Sequence, residues 1–261
     1  MTFQTIKTLL LAGIFGAVLP VSARAADVAA PADTSDWTFS TAAYLWGASL
    51  DGKSGVFGLP PQDIELNFGD ILEDLQFAVM GLAEARKGPF VLGMDLTYTK
   101  VSSTVDSPRG VLFNDISIDT TSWMVTGFAG YSIFDDDVTR IELIGGARYW
   151  SVNSEFELDS NLQQLDGRTA EDGASWVDPL VGAKLLIDVT PDFYISAWGM
   201  VGGFDIASDQ MWDVMAGAGY RFTDSISAFA GYRAVSVDYS DDGFVYDVVQ
   251  QGPVLAGVFR F

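Results

Sequence analysis

Apolar and polar residues alternate one for one along most of the chain. From Trp212 the positions Trp212, Val214, Ala216, Ala218, Tyr220 and Phe222 are apolar, while Asp213, Met215, Gly217, Gly219 and Arg221 form the other face. A period of two is that of a β-strand with one greasy side. The same pattern recurs at Ile226, Ala228, Ala230, Tyr232 and Ala234, and in the closing run Leu255, Gly257, Phe259 and Phe261. It is equally clean at Phe90, Leu92, Met94, Leu96 and Tyr98, set against Gly93, Asp95, Thr97 and Thr99. Taken in order, the alternation predicts strands over Trp37 to Leu50, Gln76 to Arg86, Phe90 to about Thr99 and Ile116 to Ile133. Further strands are expected over Thr139 to Phe156, Trp176 to Val189, Phe193 to Ile206, from Trp212, from Ile226, and over about Tyr246 to Phe261. That makes ten, with eight or twelve following if a pair is split or merged. Within the polar stretch 51–75, alternating Ile64, Leu66 and Phe68 precede one helical turn, so it reads as a structured loop.

The connections have a pattern of their own. Those near Lys87, Asp136, Pro191 and Asp224 are short, whereas 51–75, 102–115, 157–175 and 239–245 read as longer polar loops, with 207–209 the exception. Short turns at one end and long, acidic loops at the other fit a closed antiparallel transmembrane β-barrel, its short end in the periplasm. Both chain ends then fall on the short side, which requires an even strand number. The competing reading is a secreted soluble β-barrel binding a small apolar ligand, whose greasy parity would face inward. Strand runs of ten or more residues, aromatics at strand ends, and small or charged residues on the second face favour the membrane version. The deciding observation is whether Leu92, Met94, Leu185 and Val214 look toward lipid, or pack in a dry centre with Asp95 and Lys184 in solvent.

Charge and composition narrow the function. A formal charge of −21 over 261 residues makes nucleic-acid binding untenable, and 49% hydrophobic residues exclude a disordered acidic tail. Without Cys or His, thiolate and Ser-His-acid chemistry and nearly every zinc or haem site are removed. No enzyme is expected, and no cofactor. Residues Met1 to Ala25 read as a secretory signal, with Lys7, an apolar run from Thr8 to Leu19 and the small-x-small site Ala23-Arg24-Ala25. Residues 26–36 read as a short flexible leader, and 37–261 as one barrel domain. The carboxylate-rich connections carry no EF-hand spacing, and a solvated surface is their default explanation.

The inward parity collects Glu84, Arg86, Asp95, Arg140, Glu142, Arg148, Asp178, Lys184, Asp213, Arg221, Arg233 and Arg260, a set roughly balanced in sign. In a narrow lumen such residues pair across the centre and replace an apolar core; alternatively they line a small water-filled channel, with Arg221, Arg233 and Arg260 as an anion-attracting strip. The segments Tyr44-Leu45-Trp46-Gly47, Gly145 to Trp150 and Trp176 to Gly182, with a final strand ending on Phe261, resemble bacterial outer-membrane β-barrel proteins of a small porin-like kind. That resemblance implies export to the outer membrane, contact with lipid and lipopolysaccharide, and recognition of the last strand by the barrel-insertion machinery. It implies no substrate and no site residue. A structural or surface-interaction role and a narrow passive pore for small solutes are the two functions it leaves open.

Overall fold

The computed structural model describes residues 36–106, 115–159 and 167–261; the expected signal and all of the leader except Asp36 lie outside them. Twelve strands and one short helix follow in order: β1 Thr38–Trp46, β2 Ser49–Gly55, β3 Gln62–Leu66, α1 Phe68–Asp74, β4 Leu75–Lys87, β5 Phe90–Asp106, β6 Asp115–Asp135, β7 Thr139–Asp159, β8 Arg168–Asp188, β9 Phe193–Gly202, β10 Gln210–Arg221, β11 Ile226–Asp241 and β12 Phe244–Arg260. Ten of them, β1 and β4 to β12, pair antiparallel with their neighbours, and β1 returns to β12 to close the ring. The β2–β3 hairpin lies outside that ring. β2 continues along β12 in the register of β1, Leu45 facing Leu255 and Leu50 facing Gln250, after a break at Gly47-Ala48.

The outward parity is the greasy one. Leu92 is 52% exposed and Val214 47%, while Asp95 is 1% exposed, so the membrane arrangement holds and the soluble one does not for this part of the wall. The outer belt runs from Phe39, Phe90, Tyr131, Phe193, Tyr220 and Phe259 at the short-turn end to Phe77, Tyr98, Trp123 and Tyr149. On β5 that distance is eight residues, roughly 26 Å along the strand or about 20 Å of height at a tilt of about 40°, which with the rings themselves is close to the apolar band of about 25 Å of a transmembrane barrel.

Strands β6, β7 and β8 are 21 residues long, roughly 70 Å each and about twice the 9–11 residues that a membrane crossing takes. Their projecting halves keep the register and exchange the character of their faces. On β7, Tyr149 gives way outward to Ser151, Asn153 and Glu155, while inward Arg148 is followed by Trp150 and Val152, both buried. On β11, Tyr232 is followed outward by Ser236 and Asp238, and Arg233 is followed inward by Val235, Val237 and Tyr239, all three buried. The barrel is therefore membrane-like below and packed like a soluble β-protein above.

This exchange corrects the reading of the loops. Most of 157–175 is strand, since β7 reaches Asp159 and β8 starts at Arg168; the expected loop at 102–115 likewise shrinks, because β5 reaches Asp106 and β6 starts at Asp115. The expected loop 239–245 is a two-residue hairpin at Asp242 and Gly243, with φ of 45° and 85°, the double positive φ that matches strand twist. The seventh expected strand ends at Gly202 rather than Ile206, so 203–209 forms a longer connection. The structured loop over 51–75 is present as the β2–β3 hairpin and α1. Asn67 starts the helix by accepting from the Gly69 and Asp70 amides at 2.9 and 3.2 Å. Ile71 is buried inward while Phe68 and Leu72 stay exposed.

Candidate functional site: the barrel lumen

Halfway along the lumen, seven strands send hydrogen-bonding side chains to one point. Arg148 of β7 donates from Nη2 to Asp213 Oδ2 of β10 at 2.5 Å and from Nε to Thr126 Oγ1 of β6 at 2.7 Å. Arg233 of β11 donates from Nη2 both to Asp213 Oδ2 and to Asp95 Oδ2 of β5, at 2.8 Å each. Tyr44 of β1 donates to Asp95 Oδ1 at 2.8 Å and accepts from Arg233 Nη1 at 3.0 Å; Trp198 Nε1 donates to Asp213 Oδ1 at 2.9 Å. The Arg233 guanidinium lies 5.1 Å from the ring centres of both Trp46 and Trp198. Two guanidinium groups thus meet two carboxylates with no net charge, and all four side chains are at most 1% exposed. Burying ions this deeply is tolerable only when pairing and hydrogen bonds are complete.

Above this knot, toward the projecting half, the lumen is filled with aromatic rings. Trp176 of β8 stacks on Tyr239 of β11 with centroids 3.9 Å apart and planes 4° apart, and Trp150 stacks on Trp176 at 5.8 Å. Tyr246 of β12 meets Trp176 edge-on at 6.4 Å. The contacts of Trp176 with Tyr239 and Tyr246 join β8 to β11 and β12, which are not its neighbours in the wall, so the barrel is drawn together across its interior. Asp178 holds this layer rather than the charge knot: it accepts from Trp176 Nε1 at 3.1 Å and from the Ser208 amide at 2.9 Å, tying the 203–209 connection to the core.

Below the knot the lumen is open, and charged side chains share its wall with apolar ones. Lys184 pairs with Glu84, Arg86 pairs with Glu142, and Lys184 Nζ lies 3.8 Å from Glu142 Oε2. Arg140 pairs with Asp135 at 2.9 Å. Lower still, Arg221 pairs with Asp188 and donates to the Pro191 carbonyl at 3.1 Å. Two guanidinium groups lie against the Tyr194 ring, Arg221 at 4.8 Å and Arg260 at 5.6 Å from its centre. This tier surrounds a cavity of about 730 Å³ with Phe39, Ser225 and Phe261 at its short-turn end.

All the sequence-predicted lumen residues point inward, and the structure sorts them into tiers: Asp95, Arg148, Asp213 and Arg233 in the knot, Asp178 above it, and Glu84, Arg86, Arg140, Glu142, Lys184, Arg221 and Arg260 below. The proposed strip of Arg221, Arg233 and Arg260 does not exist as such, because Arg233 is consumed by two aspartates and Arg221 by Asp188. The balanced charges also do not fill the lumen alone. Tyr44, Trp46, Trp176, Trp198 and Tyr239 meet across the lumen with them and carry no charge to mark them in the sequence; extending the parity of Arg148 and Arg233 by two to six positions reaches Trp150 and Tyr239.

Apolar belt, closed ring and ionic interior define a ten-stranded transmembrane β-barrel. No family model matches the chain, and no curated protein does. Among solved structures it is similar to the translocator domain of the autotransporter NalP from Neisseria meningitidis, at 12% identity and a TM-score of 0.47 over 85% of this chain and 88% of that one. Neisserial surface protein A is similar at 14% identity and a TM-score of 0.36, over 86% and 97% of the two chains. The transport unit of the autotransporter AIDA-I from Escherichia coli is similar at 9% identity and 0.40, over 86% and 90%. The assignment of architecture rests on this chain's own register and burial.

Proposed function

We propose that this protein is an outer-membrane barrel with a sealed lumen, serving as a surface-displayed structural or interaction protein and neither as a passive pore nor as an enzyme. The observation that carries the reading is the continuous closure from the Arg148–Asp213–Arg233–Asp95 knot to the Trp150–Trp176–Tyr239 stack. An ion crossing it would have to displace paired charges and then enter a dry aromatic layer, both costly steps. The projecting half, polar outside and packed inside, is a rigid pedestal suited to contact with lipopolysaccharide or another cell's surface. Recognition of the last strand through Phe261 by the insertion machinery, after export through the expected signal, belongs to the same proposal. The test is reconstitution of purified protein into planar bilayers. Silence is expected for wild type, with stepwise current appearing when Arg148, Trp176 and Tyr239 are together replaced by alanine; regular conductance steps from the wild-type protein would overturn the sealed-barrel reading.

A further inference from the structure

We propose that the cavity below the knot is a binding site for a single-chain amphiphile with an anionic head, a carboxylate or a phosphate, held by Arg260. The inference goes beyond a sealed, structural barrel, and it survives whether or not the barrel conducts. Three observations meet there. The cavity, about 730 Å³, is of the size that takes a small organic ligand. Its wall is mixed: Leu82, Leu186, Phe229 and Val254 line it together with Lys184 and Arg260.

The cations of that wall are not equivalent. Lys184 is neutralised by Glu84, Arg86 by Glu142, Arg140 by Asp135, and Arg233 by Asp95 and Asp213. Arg260 has no carboxylate within ion-pair distance among the described residues. It rests on the Tyr194 ring, 5.6 Å from the ring centre, beside the Arg221–Asp188 pair. A partly buried, uncompensated guanidinium beside apolar side chains costs free energy in the empty site, and an anion with an apolar tail lowers that cost at both ends. Closure above the knot makes the site a blind pocket rather than a stage of a channel, so its occupant enters and leaves at the short-turn end.

The test uses the full chain reconstituted in phosphatidylcholine vesicles and measures saturable uptake of radiolabelled dodecanoate, dodecyl phosphate and dodecanol over protein-free vesicles. Saturable binding of the two anions, at least about tenfold tighter than that of the alcohol, is expected. Arg260→Met, which keeps the stem and loses the charge, should lower anion affinity about tenfold or more and leave dodecanol unchanged, with Arg260→Lys intermediate. A urea midpoint of Arg260→Met at or above that of wild type shows that the fold is kept. Adding lysophosphatidylglycerol, an anionic lipid with one chain, separates the sources: competition assigns the anion to a lipid headgroup, and its absence to a free amphiphile. Equal binding of dodecanoate and dodecanol, full anion affinity in Arg260→Met, or saturation by inorganic phosphate as tight as by dodecyl phosphate would each overturn the proposal.

Discussion

Replacing Asp213 by asparagine probes the centre of the molecule with almost no change of shape. The carboxylate accepts from Arg148 Nη2, from Arg233 Nη2 and Nε at 2.8 and 3.3 Å, and from Trp198 Nε1. An amide keeps one acceptor oxygen and turns its NH2 toward guanidinium donors, leaving buried Arg148 without a carboxylate and Arg233 with Asp95 alone. Breaking a buried ion pair in this way costs about 3–5 kcal/mol, a third or more of the stability of an ordinary domain. With a urea slope of about 1–3 kcal/mol/M, the unfolding midpoint in vesicles, followed by tryptophan fluorescence, should fall by about 1 M or more. Adding Arg148→Met to Asp213→Asn leaves Arg233 paired with Asp95. The double variant should therefore be more stable than Asp213→Asn alone, a coupling of up to about 3 kcal/mol. A fall below about 0.3 M, or additive losses in the double variant, would show that water reaches the knot and that the closure is not dry.

Four further outcomes follow from the geometry. Trp176→Ala removes the ring between Trp150 and Tyr239 and should cost about 3–5 kcal/mol in the same unfolding assay. A Cβ on Gly219 would lie 2.1 Å from the Tyr194 ring, so Gly219→Ala should lose about 1–3 kcal/mol by overpacking, most of it regained when Tyr194→Leu is added. Gly243 has a φ of +85° in the β11–β12 hairpin, and Gly243→Ala should cost about 1–2 kcal/mol, read as a lower urea midpoint. In the exposed turn, Asp136 accepts from the Val138 and Thr139 amides at 2.9 and 2.6 Å, which holds its carboxyl below the ordinary value. Its contribution is complete above the unfolded value of about 3.9 and disappears as pH falls through the lower folded one; the unfolding midpoints of wild type and Asp136→Ala should differ at pH 6 and converge toward pH 2.

Much of the wall was legible without coordinates. Strand number, parity and the four short turns follow from a period-two pattern in which lipid enforces one apolar face along each crossing, as at Phe90 to Tyr98. The projecting halves were not legible as strands for the opposite reason. Above Tyr149 and Tyr232 the surroundings change from lipid to water, the outward residues become Ser, Asn, Asp and Glu, and acidic stretches that look like loops are β-structure with a dry inner face. Inward parity found the charged lumen residues because a charge on a membrane strand has nowhere else to go. It could not give their partners: Arg233 reaches Asp95 138 residues away and Tyr44 189 residues away, and only the closed ring sets those separations.

The sequence by itself determined where the chain crosses the bilayer and which side chains face lipid, because both are local consequences of alternation every second residue. Only the tertiary structure decided that charged and aromatic side chains meet across the lumen, that Arg221 and Arg233 are ion-paired while Arg260 is not, and that two kinds of interior share one barrel. Those properties depend on which strands stand opposite one another around the ring, and neither composition nor periodicity encodes that distance.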